Sequence, residues 1–357
     1  MANEPTAKII STNVICRQPG RYIGWPTIAR THNGDLVVVF SGDRDAHICP
    51  WGKTQMVRSS DGGKTWAAPV TINNTPLDDR DAGIIETDKG TLVVSWFTSL
   101  AFSDPGQVSW LPETMRNGWM RHIEKLDQET RAKWLGNWIR RSEDGGKTWG
   151  VPIRNHVSAP HGPIKLSDKR LIYVGTGTKD GKGIIGVEES RDDGRSWSLL
   201  ATVPIPSDEV IAHYDEPHVV EAENGKLVAM FRSEPKDRSQ CFLKQSESTD
   251  GGKSWSLAHK TAIWGYPPHL IRLRNGWLLV VYGRRMPPFG EQACISRDAG
   301  KTWDTAHEII LAGAPNDDLG YPASVQLDDG SIFTVFYQCA KSDKNTCLMA
   351  THWQLAE

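Results

Sequence analysis

A chain of 357 residues leaves room for several domains or for one architecture built from repeats, and excludes a small disulfide-stapled scaffold. Its 41 Lys and Arg residues nearly cancel 43 Asp and Glu, a formal net charge of −2, so no global field draws it to nucleic acid or an anionic surface. No apolar run reaches the roughly 18–20 residues that a membrane-spanning helix needs.

The opening MANEPTAKIISTNV has no basic segment followed by an apolar stretch, the pattern of a secretion signal, which leaves the compartment open. AKIISTNVIC (7–16) then reads as a strand, and six units follow. Each carries an apolar, β-rich run after a turn: NGDLVVVF (33–40), KGTLVVSW (89–96), DKRLIYVG (168–175), NGKLVAMF (224–231), NGWLLVVY (275–282) and DGSIFTVF (329–336). Between these runs lie five copies of S-x-D-x-G-[KR]-[ST]-W, an Asp box: SSDGGKTW (59–66), SEDGGKTW (142–149), SRDDGRSW (190–197), STDGGKSW (248–255) and SRDAGKTW (296–303). The box suits a tight hairpin, because the Asp carboxylate accepts turn amides, Gly tolerates positive φ and the Trp packs back across the turn. Each unit thus predicts four short strands, and units of roughly 50 residues fit the blades of a β-propeller. The sixth unit has no box, so the strand at 7–16 is expected to supply its outer strand and close the ring.

The prediction is an all-β fold, a six-bladed β-propeller forming a single domain over 1–357. The first two boxes lie 83 residues apart against 48 or 58 later, and the surplus, 112–138, is rich in helix formers. It predicts a helical insertion in blade two, walling the pocket and restricting access to chain ends. The six cysteines, Cys16, Cys49, Cys241, Cys294, Cys339 and Cys347, show no metal-like spacing and read as buried thiols, with a Cys339–Cys347 bridge as the alternative.

Aligning the units on their turns places Trp25, Asp81, Pro160, Glu216, Pro267 and Tyr321 at equivalent positions of the innermost strands, which converge on the axis. Arg80, Asp215, His161, His218, Tyr266 and His269 stand beside them. Two carboxylates, a tyrosine and several histidines around one depression make a candidate site; the bland reading is a solvated channel.

Asp boxes on a six-unit propeller resemble the sialidase (neuraminidase) superfamily, over essentially the whole chain. That family's members use a tyrosine nucleophile activated by a glutamate, an aspartate acid/base and three arginines on the substrate carboxylate. DEPHVVEAENGKLVAMFRS (215–233) is similar to the stretch bearing the glutamate and second arginine, which fall on Glu216 and Arg232; GYPASVQLDDGS (320–331) is similar to the tyrosine segment, with Tyr321 as nucleophile. A phenol with pKa near 10 needs a neighbouring carboxylate to take its proton, which fits Glu216.

The departures are equally specific. Gly24-Trp25-Pro26 stands where the resemblance places the first arginine, Cys49 where it places the acid/base aspartate, and Glu291 near the third arginine. Asp43, Asp45 and His47 are the local substitutes for the acid. Asp45 is preferred over Asp81, because Arg80 is expected to hold Asp81 ionised. Arg80 and Arg284 are candidates to rebuild the clamp, and Trp25 to stack on a sugar. The resemblance therefore implies an exo-acting glycoside hydrolase on a terminal sugar of a glycan, with N-acetylneuraminate not assured. Two alternatives stay open: a polysaccharide lyase using His161, His218 or His269 with Tyr266 or Tyr321, and a non-catalytic glycan-binding propeller. No P-loop, dinucleotide turn or HExxH occurs, so no cofactor is expected. A calcium ion on Asp78 and Asp79 is the minor alternative to a metal-free loop.

Overall fold

The computed structural model describes residues 7–340 and 343–355; of the span expected to form one domain, 1–6, 341–342 and 356–357 lie outside the described residues. Six antiparallel sheets form from consecutive segments, and their inner strands pack on one another around a ring. The inner strands are Tyr22–Arg30, Asp78–Glu86, the broken pair Val157–Ser158 and Ile164–Lys165, Tyr214–Glu221, His269–Arg272 and Leu319–Gln326. Ala7–Cys16 pairs antiparallel with Thr346–Leu355, so the first strand of the chain is the outer strand of the last blade. This closure joins the two ends of the described chain in one sheet, the fold expected from the repeats.

The apolar runs become the second strands, and their near-continuous hydrophobicity has a direct cause. Each blade packs on a neighbour through both faces, so Leu36 to Phe40 are all fully buried, on one side against blade six and on the other against blade two. The Asp boxes cap the turns between third and fourth strands. In the first, Asp61 accepts from the amides of Lys64 and Thr65 at 3.0 and 2.9 Å and from the Thr65 hydroxyl at 2.6 Å, while Trp66 Nε1 donates to the Gly63 carbonyl at 3.2 Å. The Trp66 ring reaches Phe333 of blade six, so the box also joins adjacent blades. Register places Ser59 opposite Leu36, and Leu36 opposite Arg30, so the boxes lie at the far end of the blade from Trp25 and its counterparts.

Blade three departs from the four-strand pattern. Its inner strand breaks at Ala159-Pro160-His161-Gly162-Pro163, where the two prolines cannot donate to a ladder. There the backbones of two blades nearly touch: a Cβ on Gly83 would strike the backbone of Gly162.

The insertion begins earlier and ends sooner than the expected 112–138. It comprises α1 (Pro105–Val108), α2 (Glu113–Ile123) and α3 (Gln128–Trp134), and the sheet resumes at Gly136 because Gly136 to Ser142 pair with the blade's second strand. Phe102, Leu111, Trp119 and Leu126 pack on Ala46, Ile48, Cys49 and Leu77, so the helices cover the blade-one loop. All six cysteines are free and buried; Cys339 lies opposite Thr346 and Cys347 opposite Gln338, which sets the bridge alternative aside.

Candidate active site

Four inner strands carry the same irregularity. The ladder skips between Gly24 and Thr27, Arg80 and Gly83, Asp215 and His218, and Gly320 and Ala323. Within each bulge one non-glycine residue takes a left-handed conformation: Trp25 (φ 56°), Asp81 (φ 50°), Glu216 (φ 47°) and Tyr321 (φ 52°). Such backbone costs on the order of 1–3 kcal/mol per residue. Bulges re-aim side chains, and here three of the four turn a chemically active group toward the axis.

Tyr321 and Glu216, 105 residues apart, meet there: the phenol donates to Glu216 Oε1 in a buried hydrogen bond. Arg232 Nη1 donates to Glu216 Oε2 at 2.6 Å and its Nη2 pairs with Glu234, with the guanidinium 4.4 Å from the Tyr266 ring centroid. Burial, reinforced by the Glu216 and Asp81 charges, pushes the Tyr321 phenol well above its usual range. It is therefore neutral until a base takes its proton, and Glu216 is the group in contact.

Asp81 reverses the sequence-based expectation. Arg80 does pull its pKa down, but burial outweighs it and the carboxyl is pushed up to about 7. At 6% exposure, with Oδ1 lacking a hydrogen-bond partner among the described residues, its charged form is poorly solvated. Asp45, preferred for the acid role from sequence, is instead an anchor: Trp51 Nε1 and Trp119 Nε1 donate to Oδ2 at 2.7 and 3.1 Å, and Arg21 pairs with Oδ1. It ties the helical insertion to the blade-one loop.

The arginines also redistribute. Arg284 lies over Trp264, and the adjacent Arg285 takes the place expected of it, 5.6 Å from the Tyr321 ring centroid and 5.4 Å from that of Tyr266. Its Nε donates to the Leu319 carbonyl at 2.9 Å and Nη2 to the Tyr337 hydroxyl at 3.2 Å. The sequence reading selected Arg284, and which of the two adjacent arginines turns inward depends on tertiary packing. Arg80 lies 4.7 Å from the Trp25 centroid and makes no ion pair among the described residues. A Cβ at Gly24 would come within 3.3 Å of the Tyr337 ring, so that tyrosine occupies the room where a first arginine would extend. Trp25 itself is 0% exposed, flanked by the Arg44 and Arg80 guanidinium groups, and offers no face to a sugar.

His161, His218 and His269 plug the axis. His218 and His269 stack at 4.4 Å, and His161 meets His269 edge-on at 4.9 Å. His218 Nδ1 accepts from the Leu270 amide at 2.9 Å. Burial holds all three rings neutral, with His218 pushed down to about 3. His47, a lesser candidate by sequence, sits edge-on to Trp25 at 4.9 Å, its Nδ1 3.1 Å from the Tyr22 hydroxyl. Burial and four nearby guanidinium groups, Arg80 foremost, keep its pKa well below the ordinary value. The calcium alternative fails for lack of free oxygens: Asp78 binds Arg44 through two bonds of 2.6 and 2.8 Å, both side chains fully buried, and Asp79 accepts from Thr75 and Trp96.

From Asp81 and Glu216 a cleft of about 610 Å³ runs outward over blade three, flanked by Phe97 and Asn137 of blade two. None of its lining belongs to α1–α3, so the helices do not wall it.

A family model described as a BNR repeat-like domain matches residues 119–334. A sialidase of Bacteroides fragilis (strain YCH46) is 22% identical over 250 residues, covering 68% of this chain and 42% of that protein, so the match spans less than half of the relative's length. Among solved structures, a protein of unknown function from Dyadobacter fermentans DSM 18053 superposes with a TM-score of 0.80 at 23% identity, covering 98% of this chain and 99% of the other. The NanB sialidase of Streptococcus pneumoniae gives 0.64 at 15% identity, covering 97% and 70%. An α-L-arabinanase of Penicillium chrysogenum gives 0.61 at 16% identity, covering 97% and 98%. At such identities these likenesses speak for the fold, a sialidase-like six-bladed propeller.

Proposed function

The chain belongs to the BNR repeat-like domain family, and from that premise we propose that it is an exo-acting glycoside hydrolase using Tyr321 as nucleophile. The observation that carries the reading is the buried hydrogen bond from Tyr321 to Glu216, inside a ring that also holds Asp81, Arg232 and Arg285. Tyr321 Oη attacks the anomeric carbon as Glu216 takes the phenolic proton, and the glycosidic carbon–oxygen bond breaks while Asp81 protonates the departing oxygen. Water then gives its proton to Asp81 and attacks the anomeric carbon. The phenolate leaves and recovers its proton from Glu216, so two displacements retain the configuration.

Asp81 suits the acid role because a carboxyl titrating at about 7 is about half protonated at neutral pH, where an ordinary aspartate is almost wholly ionised. The lyase alternative needs a strong base, and a histidine titrating at about 3 is a weak one. For the substrate, we favour a terminal sugar other than N-acetylneuraminate. Arg232 is shared by Glu216 and Glu234, Arg285 is held by Tyr337 and Leu319, and Tyr337 fills the room beside Gly24. Among the described residues Arg80 makes no ion pair and Arg284 lies over Trp264, too little for a multidentate grip.

The test is a panel of aryl glycosides that includes rhamnoside, arabinofuranoside and N-acetylneuraminide. Turnover of a non-sialoside, abolished by Tyr321→Phe, supports the proposal. Efficient sialoside cleavage dependent on Arg232 overturns the substrate assignment, and glycan binding without turnover of any glycan favours the non-catalytic alternative.

A further inference from the structure

We propose that the cleft over blade three is a binding site for the leaving-group side of the substrate, and that it takes an uncharged, hydroxyl-rich sugar residue. The proposal rests on the glycosidase reading for its role in the reaction, though not for its existence as a sugar site. Position comes first. An acid that protonates the departing oxygen must face the aglycone, and Asp81 stands at the inner end of this cleft together with Glu216. A glycan cleaved at Tyr321 therefore extends along it.

The cleft is also built for the purpose. Breaking the inner strand at Ala159–Pro163 removes from blade three the continuous edge that the other blades present to the axis. Beneath the outer rim lies Glu188, 0% exposed, which accepts from the His156 amide at 2.9 Å, the Val157 amide at 3.3 Å, Asn155 Nδ2 at 3.0 Å and His156 Nδ1. Burying a carboxylate costs several kcal/mol unless donors surround it. Here four donors do, and all belong to three consecutive residues of the rim. With its Nδ1 at Glu188, the His156 ring leaves Nε2 for a ligand, and its side chain is 54% exposed. Asn155 Oδ1 is buried and has no hydrogen-bond partner among the described residues. Asn155 is thus held under the rim, and His156 is fixed beside a space that Thr176 and Thr178 line with hydroxyls. Phe97 adds an apolar face of the kind that stacks on a pyranose ring.

Charge sets the ligand class. The ionisable groups lining the cleft are the carboxyls of Asp81, Asp215 and Glu216 and the His156 ring, and no Lys or Arg lines it. A uronate or other anionic residue finds no guanidinium or ammonium to pair with there and meets the Glu216 carboxylate, whereas hydroxyl groups find donors and acceptors on each side.

The experiment uses methyl β-glucoside, methyl β-galactoside and glucuronate as probes, titrated against the full chain and followed by saturation-transfer NMR. Expected is binding of a methyl hexoside but not of glucuronate, weakened about fivefold, one hydrogen bond's worth, by His156→Ala and also by Phe97→Ala. The second variant leaves every partner of Glu188 in place. No hexoside binding, binding by both variants as tight as by the wild type, or preference for glucuronate overturns the proposal. A second arm adds the hexoside to an aryl glycoside that the enzyme cleaves. Its hydroxyl replaces water, giving its proton to Asp81 and forming the new glycosidic bond as Tyr321 leaves. The two variants should lower the ratio of this transfer product to hydrolysis product about fivefold. If hexosides bind in the cleft but no aryl glycoside reacts, the glycosidase reading fails and the sugar site stands; if Tyr321-dependent hydrolysis occurs without transfer or binding, the reverse holds.

Discussion

Replacing Asp81 by Asn should raise stability and impair catalysis together, with both effects tied to pH. Asp81 titrates at about 7 in the folded protein because burial disfavours its charge, against about 3.9 for an unperturbed aspartate. A raised pKa means that the folded state holds the proton more tightly than the unfolded chain. The associated stability is fully present below about pH 4 and is lost as pH rises through 7. Roughly three pKa units correspond to about 4 kcal/mol at pH 8, as an upper bound. Asn keeps the shape and never ionises, so the variant escapes this loss. With an unfolding entropy near 2.1 cal/mol/K per residue, 4 kcal/mol in a chain of this length is about 5 °C in Tm.

The assay is a pair of thermal melts, wild type and Asp81→Asn, at pH 4 and pH 8. Expected is a gap between the two proteins that widens by about 5 °C in the variant's favour on going from pH 4 to pH 8. A gap equal at both pH values refutes the assignment of Asp81 as a buried, high-pKa carboxyl, and with it the acid role. The kinetic counterpart is that wild-type turnover of glycosides with poor leaving groups falls as pH rises past 7, since the acid is then ionised. Asp81→Asn should lose about 10²–10⁴ on such substrates and much less on an activated aryl glycoside.

Tyr321→Phe and Glu216→Gln should each lower turnover by about 10²–10⁴ for good and poor leaving groups alike, with melting little changed; near-normal activity in Tyr321→Phe removes the nucleophile assignment. Asp45→Asn should lower the melting temperature by loosening α2 from the blade-one loop, without the leaving-group dependence of Asp81→Asn; finding that dependence would return the acid role to Asp45. Asp78→Asn leaves the fully buried Arg44 uncompensated and should cost about 3–5 kcal/mol in chemical denaturation, with an unchanged midpoint refuting the structural role of the pair. Gly24→Arg should destabilise by about 1–3 kcal/mol, because Tyr337 already fills the space, and should confer no sialoside cleavage.

The sequence by itself determined the architecture. Asp boxes and apolar runs are local signals, each readable within ten residues, and their number and spacing imposed six blades, the closing strand at 7–16 and an insertion in blade two. The equivalence of Trp25, Asp81, Glu216 and Tyr321 was legible for the same reason, since repeated strands carry repeated positions. What those residues do was decided by tertiary structure. Burial is a property of the packed ring, and it outweighed the Arg80 charge next to Asp81, which a sequence reading could see while the loss of solvent stayed hidden. Partners distant in sequence turned Asp45 into an anchor through Trp119, gave Asp78 to Arg44 and set Trp25 beneath two guanidinium groups. Which of Arg284 and Arg285 faces the axis depended on side-chain direction along one strand end, and the cleft at His156 on a Glu188 that lies 32 residues away in the chain. Repeats recur along the chain and can be read from it; desolvation and pairing arise only when six blades close around an axis.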